Sequence, residues 1–190
     1  MKWPILSSMK GFSLLEVMIA AVVLSFGLLG LVGMQVTSKL SGYEARQRTI
    51  ASWLATDIVE RARINRSIWE LQTAQAWTVS SGSSISKPSC GNKDGTMTSC
   101  SSNDLLALDM FSWQQSLSGV AVSGASSVLQ NPSGCIIRGN ANAMTVIVTW
   151  QGRESISDGT SAISNNIRNL CGFGNGTLQS RRYYMLATTL

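Results

Sequence analysis

Between Lys10 and Lys39 the chain carries one charged side chain, Glu16, near the start of an otherwise apolar run. A carboxylate placed deep in a bilayer costs about 2.5–3.5 kcal/mol even on the lenient insertion scale. Two readings follow. Glu16 rests at an interface near Lys10, favoured by the positive end of its own helix; or it awaits a cation that a partner subunit brings. A second chemically capable set is Cys90, Cys100, Cys135 and Cys171, all beyond the apolar run. No Cys-x-x-Cys occurs, so neither a redox motif nor a zinc knuckle fits. An even count downstream of a membrane segment points to disulfides in an oxidising compartment, with four reduced, buried thiols as the alternative. Cys90 and Cys100 flank the turn-rich "GNKDGTMTS" and can close locally, which leaves Cys135 for Cys171, one of three arithmetically open pairings.

The chain contains no histidine. That removes His-based triads, His general acid–base catalysis and nearly every common zinc site. There is also no nucleophile motif and no acidic cluster outside helices, so neither a catalytic site, a metal nor a cofactor is expected. The net charge of +5 is spread along the chain, with no block of like charge to line a nucleic-acid groove. Nucleic acid is therefore not an expected partner.

The elements that position these residues are legible in outline. The 190 residues suffice for one ordinary domain plus an extra element. From Val17 to Ser38 no residue is charged, and about 20 such residues span a bilayer as a helix. Lys2 and Lys10 precede it without any acid, placing the first residues in the cytoplasm and everything after Lys39 across the membrane. A cleaved secretory signal fits less well: the run is too long for an h-region and no small-x-small site follows it cleanly. Residues 39–64 continue with helical periodicity. Ile50, Leu54 and Ile58 recur at steps of four, with Trp53 and Ala62 flanking the stripe. No proline occurs between Ile5 and Lys87, so one helix from Ser13 to Ile64 is predicted. Gly27, Gly30, Gly33 and Gly42 weaken it by roughly 1 kcal/mol each relative to Ala.

Residues 80–102 read as turns. "SNDLLALDMFSWQQSLSG" predicts a short helix with Leu106, Met110, Trp113 and Leu117 as its core stripe, Ser102 or Asn103 as N-cap and Gly119 as its stop. In the last third, "SVLQ" leads into a type I turn at Asn131, Pro132 and Gly134. Strands "CIIRG", "MTVIVTWQ" and "RRYYMLAT" follow, with "NANA" between the first two and a long polar loop from Gly152 to Ser180. The fold class is α+β: a long N-terminal helix, membrane-spanning in its first half, packed on a small antiparallel β-sheet head.

"KGFSLLEVMIAAVVL" resembles the class III signal of type IV pilins and type II secretion pseudopilins: a short basic leader ending in Gly11, then Phe12, then Glu16 and a long apolar run. Trp3 and Pro4 are not part of that pattern. The resemblance implies the pilin lollipop, with residues 1–11 as leader, 12–38 as transmembrane and assembly helix, 39–64 as its amphipathic continuation and 65–190 as head. It implies that a prepilin peptidase cuts the Gly11–Phe12 bond and N-methylates Phe12. Glu16, fifth in the mature chain, would then dock onto a neighbour's Phe12 ammonium. Where major pilins often carry a proline, this chain has Gly33, which implies a local irregularity at most. Across the head, "LLALDMFSWQQSL…GC…MTVIVTWQGR…C…RRYYMLATTL" looks like the PilV branch of minor pilins. That branch implies a structural minor pilin that helps prime pilus assembly near the tip. Its partners would be other minor pilins, the major pilin and a tip adhesin, with inner-membrane lipid before assembly, a periplasmic head and then a place in the pilus at the cell surface. A minor pseudopilin of a type II secretion system is the alternative, and a DNA-uptake pilin a third reading.

Overall fold

A computed structural model describes residues 11–72, 75–80, 82–93, 96–119, 127–152, 159–173 and 180–190. Its elements are helices α1 (Leu14–Ile64), α2 (Arg66–Glu70), α3 (Ser102–Ser118) and α4 (Asn165–Leu170), with strands β1 (Ala76–Ser80), β2 (Gly91–Lys93), β3 (Thr96–Thr98), β4 (Gln130–Arg138), β5 (Ala143–Gln151) and β6 (Arg181–Thr189). The chain divides into two compact units, 1–43 and 44–190. In the first, α1 passes Gly27, Gly30 and Gly33 without interruption, in keeping with the absence of proline.

In the second unit, α1 buries one face: Gln47, Ala51, Leu54, Ala55, Ile58, Val59 and Ala62. These residues recur at three and four, the spacing that keeps one side of a helix turned to a core. Of the two residues expected to flank the stripe, Ala62 is buried and Trp53 is not. It is 69% exposed and lies off the stripe, because three residues before Thr56 it falls on the outer face. The buried face packs with α3 and a four-stranded antiparallel sheet of order β1-β4-β5-β6.

The α3 stripe is buried at Met110, Trp113 and Leu117, with Leu106 half-buried beside it. Its N-cap is Ser101, not Ser102 or Asn103. The Ser101 hydroxyl accepts from Asp104 N and the Asp104 carboxylate accepts from Ser101 N, a capping box that places the helix start one residue earlier. Gly119 closes the helix in the left-handed conformation, φ 78°.

The sheet departs from the sequence reading in three places. The edge strand β1 was not anticipated; it pairs Thr78 with Cys135 and Ser80 with Ser133. "SVLQ" contributes only Gln130 to a strand, and Asn131–Gly134 is not a turn but part of β4. There the register jumps between Gln130 and Ser133, and Asn131 takes φ 45°. The Asn-Pro pair thus forms a bulge, where Pro132 lacks the N–H that a regular ladder would use. The "NANA" segment does turn: Ala141 and Asn142 both have positive φ (52° and 59°), the backbone of a primed hairpin whose twist suits the flanking strands. The stretch read as turns holds the small β2–β3 hairpin. Within the expected loop, Gly159–Ala162 forms a 3-10 turn and Asn165–Leu170 forms α4.

Candidate assembly site

Gly11, Phe12 and Ser13 precede the first turn of α1 and are exposed. The Ser13 carbonyl accepts from Glu16 N (3.0 Å) and Val17 N (3.2 Å), so the helix starts immediately after it. Glu16 lies in that first turn, where the unpaired N–H groups make the helix end positive and favour a carboxylate. The Gly11–Phe12 bond thus lies outside the helix, and among the described residues no atom beyond the chain neighbours comes within 4 Å of a side chain built at Gly11. Gly11, Phe12 and Glu16 stand close in sequence at one end of α1. The four cysteines belong to the other unit.

From Gly11 to Lys39 every residue is exposed. The large apolar side chains between Phe12 and Val36 are 53–84% exposed, far beyond the patch that a soluble monomer tolerates in water. Among the described residues this one helix is long and apolar enough to cross a membrane. Two of its hydroxyls are satisfied internally: Ser25 Oγ donates to Ala21 O (2.7 Å) and Thr37 Oγ1 to Met34 O (2.9 Å). Such back-bonding lets hydroxyls reside where no water is present.

The head presents a different chemistry. Cys90 is bonded to Cys100 and Cys135 to Cys171, with Cα–Cα distances of 5.0 and 5.5 Å. Where α1, α2 and α3 meet, the buried Asp109 carboxylate accepts from Asn65 Nδ2 (2.8 Å) and Trp69 Nε1 (3.0 Å). Arg138, 1% exposed at the end of β4, donates from Nε to Trp69 O (3.1 Å) and from Nη1 to Asn142 O and Ala143 O (3.0 and 2.9 Å). Burial pushes its guanidinium below its ordinary pKa, while the Glu70 carboxylate pulls the other way. Trp113 Nε1 donates to Leu54 O (2.8 Å), tying α3 to a backbone carbonyl of α1. Sequence reasoning did not single out Asp109 or Arg138. The only signal was a charged residue beside each apolar stripe, which a solvated face shows equally often. Their geometry is that of buried structural groups, held by neutral hydrogen-bond partners rather than by ion pairs.

Two family profiles abut along the chain. The prokaryotic N-terminal methylation motif matches residues 6–32, and Type IV pilin Tt1218 matches residues 33–111. Together they run without a gap over more than half of the sequence. These two matches support a type IV pilin. No curated protein and no solved structure matches it. The family is structural rather than enzymatic. This pilin's methylation motif marks it for processing by a prepilin peptidase and for assembly with other pilins. With the apolar helix it also marks membrane anchoring and pilus incorporation.

Proposed function

We propose that this pilin is a minor pilin of a type IV pilus, inserted in the inner membrane with its head in the periplasm and then incorporated near the pilus tip, where it helps prime assembly. The observation that carries the reading is the one carboxylate of the exposed apolar segment 12–38, in the first turn of α1 and four residues after Phe12. Residues 1–11 act as the leader, 12–38 as the membrane and assembly segment, 39–64 as its continuation and 65–190 as the head. Hydrolysis of the Gly11–Phe12 amide leaves a carboxylate on Gly11 and an α-ammonium on Phe12. N-methylation keeps that amine basic, so the charge persists. Glu16 of an incoming subunit then pairs with the Phe12 ammonium of a neighbour, and the cost of a carboxylate among apolar helices is offset by an opposite charge. Lys2 and Lys10 support the cytoplasmic side for the leader. Gly33 in place of the proline common in major pilins, and the resemblance of the head to the PilV branch, support the minor role. Other minor pilins, the major pilin and a tip adhesin are the partners this role requires.

The test compares Glu16→Leu with wild type in sheared pili and in inner membranes. The variant-to-wild-type ratio in pili, divided by that in membranes, should fall well below one, because insertion and cleavage do not require the carboxylate. A quotient near one removes the docking role and leaves Glu16 an interfacial group. N-terminal mass analysis of the mature chain should find methyl-Phe at residue 12; a start elsewhere removes the processing assignment.

A further inference from the structure

The sheet has two faces, and only one belongs to the main core. Val146 and Val148 of β5 and Ile136 of β4 turn to the cluster containing α1 and α3. The residues between them, Ile147 and Cys135, turn to the opposite face and are also fully buried. Among the described residues, what covers them from outside the sheet comes from one stretch of chain, Gly159–Phe173. Its Ile163, Cys171 and Phe173 form a second cluster with Cys135 and Ile147, and Ile137, Ile167 and Tyr183 pack around it. The main cluster contains no residue of 159–173.

This stretch lies between two strands that are already joined without it. Gln151 of β5 pairs with Arg181 of β6, and Gly152 N donates to Ser180 O at 2.7 Å, so the chain leaves and re-enters the sheet at one point. At that root the packing is close: a side chain built at Gly159 would come within 3.0 Å of Arg181 O. Across the sheet, two described links hold the far end of the stretch to β1 and β4, the Cys135–Cys171 disulfide and a hydrogen bond from Thr78 Oγ1 to Cys171 O (3.2 Å).

We propose that Gly159–Phe173 is a disulfide-latched strap, which closes over the outer face of the sheet while Cys135–Cys171 is intact and comes away when a dithiol reduces that bond, the main core remaining folded. The chemistry is ordinary exchange. A thiolate of the dithiol attacks one sulfur to form a mixed disulfide, and its second thiol then displaces the protein sulfur. The protein gains two thiols and the reagent becomes a cyclic disulfide. Local opening of this kind requires a cooperative unit distinct from the main core, and the strap meets the sheet through a separate small cluster with one covalent latch. Cys135 and Cys171 are both 0% exposed, so the latch is shielded by the strap it holds. Cys90–Cys100, by contrast, has a half-buried member, Cys100.

The experiment uses the full-length mature pilin in detergent micelles. In the Cys135→Ser/Cys171→Ser double variant, hydrogen exchange at the Arg168, Cys171 and Phe173 amides should accelerate by at least about tenfold. Tryptophan emission should stay as in wild type, because Trp69, Trp113 and Trp150 lie in the main core and the strap contains none. Cys90→Ser/Cys100→Ser should leave strap exchange unchanged. Retained protection of the strap, or a red shift of tryptophan emission together with its loss, overturns the proposal. Should the variant fail to fold, wild-type protein treated with dithiothreitol decides. Alkylation should reach Cys90 and Cys100 at least about tenfold sooner than Cys135 and Cys171, with emission unchanged after both. Equal rates, or a red shift on full reduction, overturns it.

Discussion

The two halves of α1 are made of comparable helix formers and meet different surroundings. From Leu14 to Tyr43 nearly every side chain is exposed, and apolar residues occupy all sides. From Glu44 to Ile64 one face is buried and the other carries Arg46, Arg48, Glu60 and Arg63. The first half therefore has no inside of its own. It is stable as a helix because its backbone hydrogen bonds are internal, and it needs lipid or other helices to cover its side chains. The second half is held by what it packs against. The same substitution should thus be silent in one half and costly in the other, which makes the comparison breakable.

The largest effect is expected at Trp113. It fills the space over Gly134, where even a Cβ would collide with its ring, and it donates to Leu54 O. Trp113→Ala should destabilise the head by about 3–5 kcal/mol, read as the denaturant midpoint of the remaining tryptophans. Next is a matched pair. Ile58→Ala should cost about 2–5 kcal/mol, since Ile58 is fully buried and leaves a cavity. Val23→Ala in the exposed half should leave the same midpoint unmoved. Equal shifts for the two would erase the distinction between the halves.

Smaller effects sharpen it. Asp109→Ala strands Asn65 Nδ2 and Trp69 Nε1 at the junction where α1 ends, and should cost about 1–3 kcal/mol. Ser101→Ala removes one arm of the α3 capping box and should cost about 1 kcal/mol by the same unfolding curve. Neither should alter the helical circular dichroism that persists from the first half in micelles after the head unfolds.

Those magnitudes trace to contacts that pattern reading reaches unevenly. Long periodic elements were legible: the run to Ile64 without proline is one helix, and "MTVIVTWQ" and "RRYYMLAT" are strands. Short elements whose reason lies elsewhere in the chain were not. Trp77, Thr78 and Val79 favour a strand, but so short a segment forms one only because β4 offers it an edge. Asn-Pro-Ser-Gly has turn composition, yet its flanking residues pair with β5 in a ladder that tolerates one extra residue. Trp53 and Ala62 both flank the core stripe in the sequence, and only the packing of α1 shows that Ala62 is buried while Trp53 is exposed.

By itself the sequence determined the α+β class, the uncharged apolar span and the family motif around Gly11, Phe12 and Glu16, because these depend on residue type and near spacing along one helix. The tertiary structure alone decided which side of the second half is buried, that Asp109 and Arg138 are interior groups, and that the sheet is covered on both faces. Those outcomes turn on approach between residues far apart in the chain, such as Trp69 with Asp109 and Cys135 with Cys171. Periodicity specifies a face but not its partner; the partner is set when the faces exclude water together.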